Sequence, residues 1–172
     1  MTKKSDSFFI RQFVNIQDDG TFYQEEIDLG AYVDALGKSV LRIHNLAVNY
    51  SDSNGRTPNI DGDASASADF QLTTQSQTDM VIPGDNKSVV ASGRLSATNR
   101  EAGAGVPSIT SNDLDVAPQH WTNGYLIGVE TMYVGGAATS GWAEDVYVSI
   151  TMECTVETLS QAAAMSLALS QQ

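Results

Sequence analysis

His44, His120 and Cys154 are the residues of this chain best suited to hold a soft metal or to act as imidazole or thiol catalysts. They are far apart, with no Cys-x-x-Cys or His-x-x-x-His spacing to bring two of them onto one turn or helix face. Cys154 also falls on the apolar parity of an alternating stretch, where a buried, inert thiol is expected. Asn59-Ile60-Asp61-Gly62-Asp63 and Asp18-Asp19 offer oxygens suited to Ca²⁺. Counted from Asn59, however, an EF-hand frame would place Ala64 and Phe70 where Gly and Glu are needed. Turn-forming Asx chemistry explains these residues better, and a weak cation at 59–63 stays open. Ser92-Gly93 and Ser140-Gly141 are not set in a Gly-x-Ser-x-Gly elbow. Gly103-x-Gly105 lacks the third glycine of a nucleotide loop, and no Gly-Lys-Ser/Thr occurs. The sequence therefore predicts no catalytic residue, no cofactor-binding residue and no metal site, and an enzyme is not expected.

Trp121, Tyr125, Tyr133, Trp142 and Tyr147 could line a sugar-binding face, because aromatic rings stack on the apolar faces of sugars. Core packing and subunit contact explain them about as well. Lys3 and Lys4 are the one basic cluster resembling a nucleic-acid arm, and two charges give little electrostatic binding.

Charge sharpens that point. The chain of 172 residues carries a formal charge of −12. Residues 1–100 hold nine basic against thirteen acidic side chains, and residues 101–172 hold none against eight. The second half thus has no Lys or Arg with which to grip a phosphate, and direct nucleic-acid binding is not expected. Hydrophobic residues at 41 % and charged residues at 17 % suit a folded chain whose surface is polar through Ser, Thr, Asn and Gln. The single cysteine precludes an internal disulfide. Arg11 and Gln12 follow only three apolar residues, too few for a signal-peptide core, and no apolar run approaches the roughly 18 residues of a membrane span. A protein made and folded in the cytoplasm of the producing cell is expected.

The elements that would position these residues read as strands. Glu144–Leu159 is the clearest: Val146, Val148, Ile150, Met152, Cys154 and Val156 alternate with Tyr147, Ser149, Thr151, Glu153, Thr155 and Glu157. Successive strand side chains point to opposite faces, so one face is apolar and the other is expected to meet solvent or a polar subunit boundary. Phe8–Ile16 reads as a first strand, Asp18-Asp19-Gly20 as a turn, and Thr21–Asp28 as the return partner. Leu29–Gly37 is a connection. In Lys38–Tyr50 the apolar parity switches at His44-Asn45, implying a bulge or a bend of the kind that passes a strand between sheets. Ser51–Ala64 is a polar loop. Ser65–Ser76, Asp79–Ile82, Lys87–Thr98 and Gly124–Val134 are further strands, and Gly135–Ala143 is a Gly-rich turn. Asn99–Asn123 is either a working loop or conceals a strand around Ser108–Thr110. Ser160–Gln172 breaks the pattern with good helix formers behind an N-cap serine, with Ala162, Met165 and Leu169 on one side. Such a short helix must pack on something, its own sandwich or a neighbouring subunit.

About eight strands separated by turn signals predict an all-β, antiparallel two-sheet sandwich of jelly-roll type. The chain is expected to form a single domain over 1–172, with the sandwich over 8–159 and a helical tail over 160–172. In this pattern of strands and turns over Phe8–Leu159 the chain resembles the single jelly-roll capsid proteins of icosahedral viruses. The resemblance implies a structural virion protein that self-assembles into a shell through loop and terminal-arm contacts, with copies of itself and other virion proteins as partners. It departs from the small-virus form in lacking a basic N-terminal arm, which implies a shell that does not condense the genome directly. A phage tail-tube or other ring-forming protein, and a carbohydrate- or ligand-binding module working through Trp121 or Trp142, are the alternatives.

Overall fold

The computed structural model describes residues 5–34, 38–61, 65–98 and 109–171. Among the described residues nine strands form two antiparallel sheets, followed by one α-helix. The strands are β1 (Phe8–Gln17), β2 (Tyr23–Asp28), β3 (Ser39–Ser51), β4 (Ser65–Thr73), β5 (Val89–Thr98), β6 (Ile109–Val116), β7 (Tyr125–Ile127), β8 (Thr131–Ala138) and β9 (Val146–Thr158). The helix α1 spans Gln161–Ser170. One sheet has the order β1-β9-β3-β7 and the other β2-β8-β4-β5-β6.

This order is that of a chain rolled up as one long hairpin. β1 pairs with β9, β2 with β8, β3 with β7 and β4 with β5, and these nested pairs fall alternately in the first and second sheet. That is a jelly roll, with β6 added beside β5. Thr21–Asp28 is consequently not the return partner of the first strand. The Asp18-Asp19-Gly20 turn is real: Gly20 has φ +76, and Asp19 accepts from the Thr21 N–H at 3.0 Å and from the Tyr23 hydroxyl at 2.7 Å. It carries the chain from one sheet to the other, which a turn motif alone does not reveal.

Between the sheets lies an apolar core that includes Phe70, Leu72, Met132, Ile150 and Met152. The alternation of β9 supplies one wall of it from Val146 to Cys154. The parity switch in β3 is a bulge between Ile43 and Asn45, opposite Cys154 and Glu153. It lets Leu41 and Ile43 before it and Leu46 and Tyr50 after it all face the core. The bulge does not move β3 between sheets, because β9 stays beside it along its whole length.

Other expectations are corrected. Asp79–Ile82 is not a strand; it belongs to a loop held to the second sheet by Gln71, whose amide accepts from the Val81 N–H and donates to the Asp79 carbonyl. Gly124–Val134 divides into β7 and β8, and β8 runs on through Gly135 and Gly136 rather than turning there. A Cβ at Gly136 would collide with the Asp69 carbonyl oxygen and one at Gly135 with the Phe22 ring, so glycine here serves close approach rather than a turn. Within Asn99–Asn123, β6 occupies Ile109–Val116; the rest of the suspected loop up to Ser108 lies outside the described residues.

The tail is helical, with the Ser160 hydroxyl accepting from the Ala163 N–H at 3.2 Å. It packs on its own sandwich, through Ala164, Ala168 and Gln171, with Leu167 against Gly128. Ala162, Met165 and Leu169 do share a side, and it is the outward one.

Candidate assembly surface

The residues singled out for chemistry are dispersed or sequestered. Cys154 is fully buried, and burial, reinforced by the Glu153 carboxylate, pushes its thiol up to about 12. His44, the extra residue of the bulge, meets the Thr155 hydroxyl at 2.9 Å, while His120 Nδ1 accepts from the Ala117 N–H at 3.2 Å. Among the described residues no group of three or more His, Cys, Asp or Glu side chains is placed to hold a metal. Asp61 is exposed, its N–H bonded to the Gly141 carbonyl, and Gly62 and Asp63 lie outside the described residues, as do Lys3, Lys4, Gly103 and Gly105. Ser92 is buried, opposite Gln71 on β4. Trp142 is only 2 % exposed, with its indole N–H donating to the Ser67 carbonyl, so it is a core residue and no platform. Trp121 is 51 % exposed and edges a groove of about 570 Å³ with Tyr125, Leu126 and Leu167.

The two sheets present different outer surfaces. On the five-stranded sheet, Asp69, Arg94 and Asp113 lie in one row across β4, β5 and β6, and Arg94 pairs with Asp115 at 3.0 Å. Burial raises the Asp69 carboxyl against the pull of Arg94, and Asp115 adds to the rise. The hydrogen bond from Arg94 to Asp115 raises the guanidinium further. With Glu26 and Asp28 on the outward parity of edge strand β2, this side of the molecule is acidic.

The four-stranded sheet has two zones outside. At one end the segment around the short 3-10 turn Pro118–His120 is tied to it, through Gln119 to the Leu46 backbone and through the Asn123 carbonyl to Arg42. There the expected wet face of β9 is not wet: Glu157 is 0 % exposed and forms a two-pronged pair with Arg42, both contacts at 2.8 Å, while Arg42 also donates to the Asn123 carbonyl. The basic partner that β9 lacks in its own half of the sequence comes from β3. At the other end no described residue covers the sheet, and its outer face is bare among the described residues. Its register aligns Phe9, Glu153 and Asn45; Arg11, Thr151 and Ala47; and Phe13, Ser149 and Asn49 in three rows. Phe9 is 56 % and Phe13 58 % exposed, with Phe13 tilted against Tyr147 at 6.2 Å between ring centroids and the Arg11 guanidinium 6.0 Å from the Phe9 ring centre. Covering the exposed part of such a ring is worth on the order of 2 kcal/mol. Neither phenylalanine stood out in the sequence as a site residue, although their i, i+4 spacing opposite the core-facing Val14 and Ile16 was the signal available.

Glutamines cap particular positions on the strand edges of this sheet. A side-chain amide carries one acceptor and a donor, like a peptide group, and can stand in for a missing strand. Gln12 accepts from the Phe13 N–H on β1 and donates to the Glu26 carbonyl on β2, both at 2.9 Å. Gln119 exchanges two 3.0 Å bonds with the N–H and carbonyl of Leu46 on β3, beyond the end of β7. Gln171 accepts from the Gly128 N–H and donates to the Leu126 carbonyl, both at 2.7 Å, along the outer edge of β7. Unpaired edges invite strand addition, and these caps, like the carboxylates on β2 and β6, oppose it.

No protein-family model and no curated protein matches the chain. Among solved structures it is similar to viral capsid proteins. The capsid protein of maize chlorotic mottle virus is 9 % identical, with 90 % of this chain and 94 % of that one covered and a TM-score of 0.36. VP1 of the Trichodysplasia spinulosa-associated polyomavirus, solved with sialylated glyco-oligomers, is 6 % identical over 88 % and 95 % of the two chains, with a TM-score of 0.45. Cocksfoot mottle virus gives 9 % identity over 92 % and 100 %, with a TM-score of 0.38. The jelly-roll assignment rests on the strand order itself.

Proposed function

We propose that this chain is a structural virion protein, a capsid subunit that assembles with copies of itself into a closed shell without condensing the genome directly. The observation that carries this reading is the combination of a jelly roll with a bare, phenylalanine-bearing sheet face on a chain of −12 formal charge. Exposed large apolar side chains grouped on an otherwise polar surface mark a contact with another protein. The acidic outer side and the absence of Lys and Arg beyond residue 100 argue against a phosphate-gripping role. Production in the host cytoplasm and residence in the virion follow from the same reading.

Size-exclusion chromatography with light scattering and negative-stain microscopy test it, with and without Ca²⁺ and across salt. Shells or their capsomer fragments are expected, and stacked rings would instead indicate a tube-forming protein. A strict monomer at all concentrations and salts overturns the proposal. The exposed Trp121 beside its groove favours one other reading, a ligand-binding module, which predicts a monomer that loses sugar binding in Trp121→Ala while keeping its fold.

A further inference from the structure

We infer that the bare face of the four-stranded sheet is a self-complementary contact between two copies of this chain, with Arg11 of each copy meeting Glu153 of the other. The inference rests on the self-assembly part of the reading above and names the surface that performs it.

Charge selects the occupant. Copies of a −12 chain repel wherever their acidic surfaces approach, and the outer side of the five-stranded sheet, with Asp69, Asp113 and Asp115 against Arg94, is such a surface. The bare face holds one cation and one anion in its three rows, Arg11 on β1 and Glu153 on β9, so its charge sums to zero. The two are diagonal neighbours, since Glu153 stands opposite Phe9 and Arg11 opposite Thr151. A two-fold axis lying in the plane of this contact and bisecting the diagonal between Arg11 and Glu153 brings each Arg11 toward the other copy's Glu153, which is the reciprocal pattern an isologous interface requires.

Shape agrees. Phe9 and Phe13 stand up on the outermost strand, while Ser149, Thr151, Ala47 and Asn49 are short. A groove of about 430 Å³ lined by Arg11, Gln12, Phe13, Ser149, Ile150 and Thr151 lies beside Phe13 and can receive the ring of the second copy. The glutamine caps occupy backbone positions on the edges of this same sheet at β1, β3 and β7, which disfavours strand addition there.

The test is a charge-complementation experiment on the full chain. R11E gives a face with two anions and E153R a face with two cations. Each alone is expected to associate about tenfold or more weakly than the parent by light scattering, since like charges are then opposed across the axis. Mixed one to one, the two variants are expected to recover the parent's association, because each supplies the charge the other lacks. F9S/F13S is expected to weaken association comparably, with an unchanged melting temperature showing that the fold persists. Association of all variants at parental strength overturns the inference and leaves the capsid reading standing. A mixture no better than its components also overturns it. A parent that never self-associates overturns both.

Discussion

Replacing Gln171 with alanine removes two 2.7 Å hydrogen bonds at once, from the Gly128 N–H and to the Leu126 carbonyl. Each such bond contributes about 1 kcal/mol net, and the Gly128 N–H, buried beneath Leu167, costs up to about 3 kcal/mol when left without an acceptor. A loss of about 2–3 kcal/mol follows. The rest of the docking is modest. Ala164 and Ala168 are the buried apolar residues of α1, each methyl worth about 0.8 kcal/mol, and a helix this short is marginal by itself. The undocked population of α1 should therefore rise about 30- to 150-fold. Hydrogen exchange read by mass spectrometry on peptides covering 125–128 and 161–171 measures it, with the amides of β9 as an internal reference. Gln171→Glu separates the two bonds, because a carboxylate accepts from Gly128 but cannot donate to Leu126. That variant should open the tail at neutral pH and close it again on acidification, when the carboxyl regains a proton. Protection of Gly128 and α1 within twofold of the parent in Gln171→Ala would refute the assignment of Gln171 as the latch.

Arg42→Met leaves the fully buried Glu157 without its two-pronged partner and should cost about 3–5 kcal/mol in urea unfolding, with much of the loss recovered when Glu157→Leu is added; an unchanged midpoint in the single variant would contradict this. Asp69, raised above its ordinary value of 3.8 chiefly by burial, binds its proton more tightly in the fold than in the unfolded chain. Its ionised form therefore weakens the fold above its raised folded value, and the penalty fades as pH falls through that value toward 3.8. Asp69→Asn should accordingly stabilise at pH 7, by less than about 1 kcal/mol given its half-exposed position, and lose the advantage below pH 3.8; stabilisation that persists in acid would point to another cause. Cys154, buried and raised to about 12, should resist alkylation at pH 8 until denaturant is added, and rapid labelling of the native protein would show that the strand opens.

Legibility in the sequence tracked the range of the interaction. The alternation of β9, the bulge at His44-Asn45 and the Ser160 cap are set by residues within a few positions of one another and were legible. The solvent exposure expected of Glu157 and the sheet crossing expected of the bulge depended on distant segments and were not borne out. Partner choice was not legible either, because it depends on residues far away. Tyr23–Asp28 finds β8 over a hundred residues later, and Gly135 and Gly136 are glycines because Phe22 and the Asp69 carbonyl crowd them, a reason no local window contains. Gln12, Gln119 and Gln171 read as ordinary polar residues and became edge caps only when the strands beside them were left without neighbours.

By itself, the sequence determined that this protein is an antiparallel β sandwich with a helical tail, that its second half is uniformly anionic, and that no motif for catalysis or phosphate binding is present. A period of two, the turn residues and a charge count are enough for that, since each is a property of short segments or of the whole composition. The tertiary structure decided which face of which sheet is bare, that Glu157 is buried against Arg42, and that α1 docks on its own chain with Met165 and Leu169 turned outward. These depend on what covers a side chain. Segments such as 117–124 and 74–88 are tied to the sheets by long-range hydrogen bonds from Arg42 and Gln71 and not by any pattern of their own.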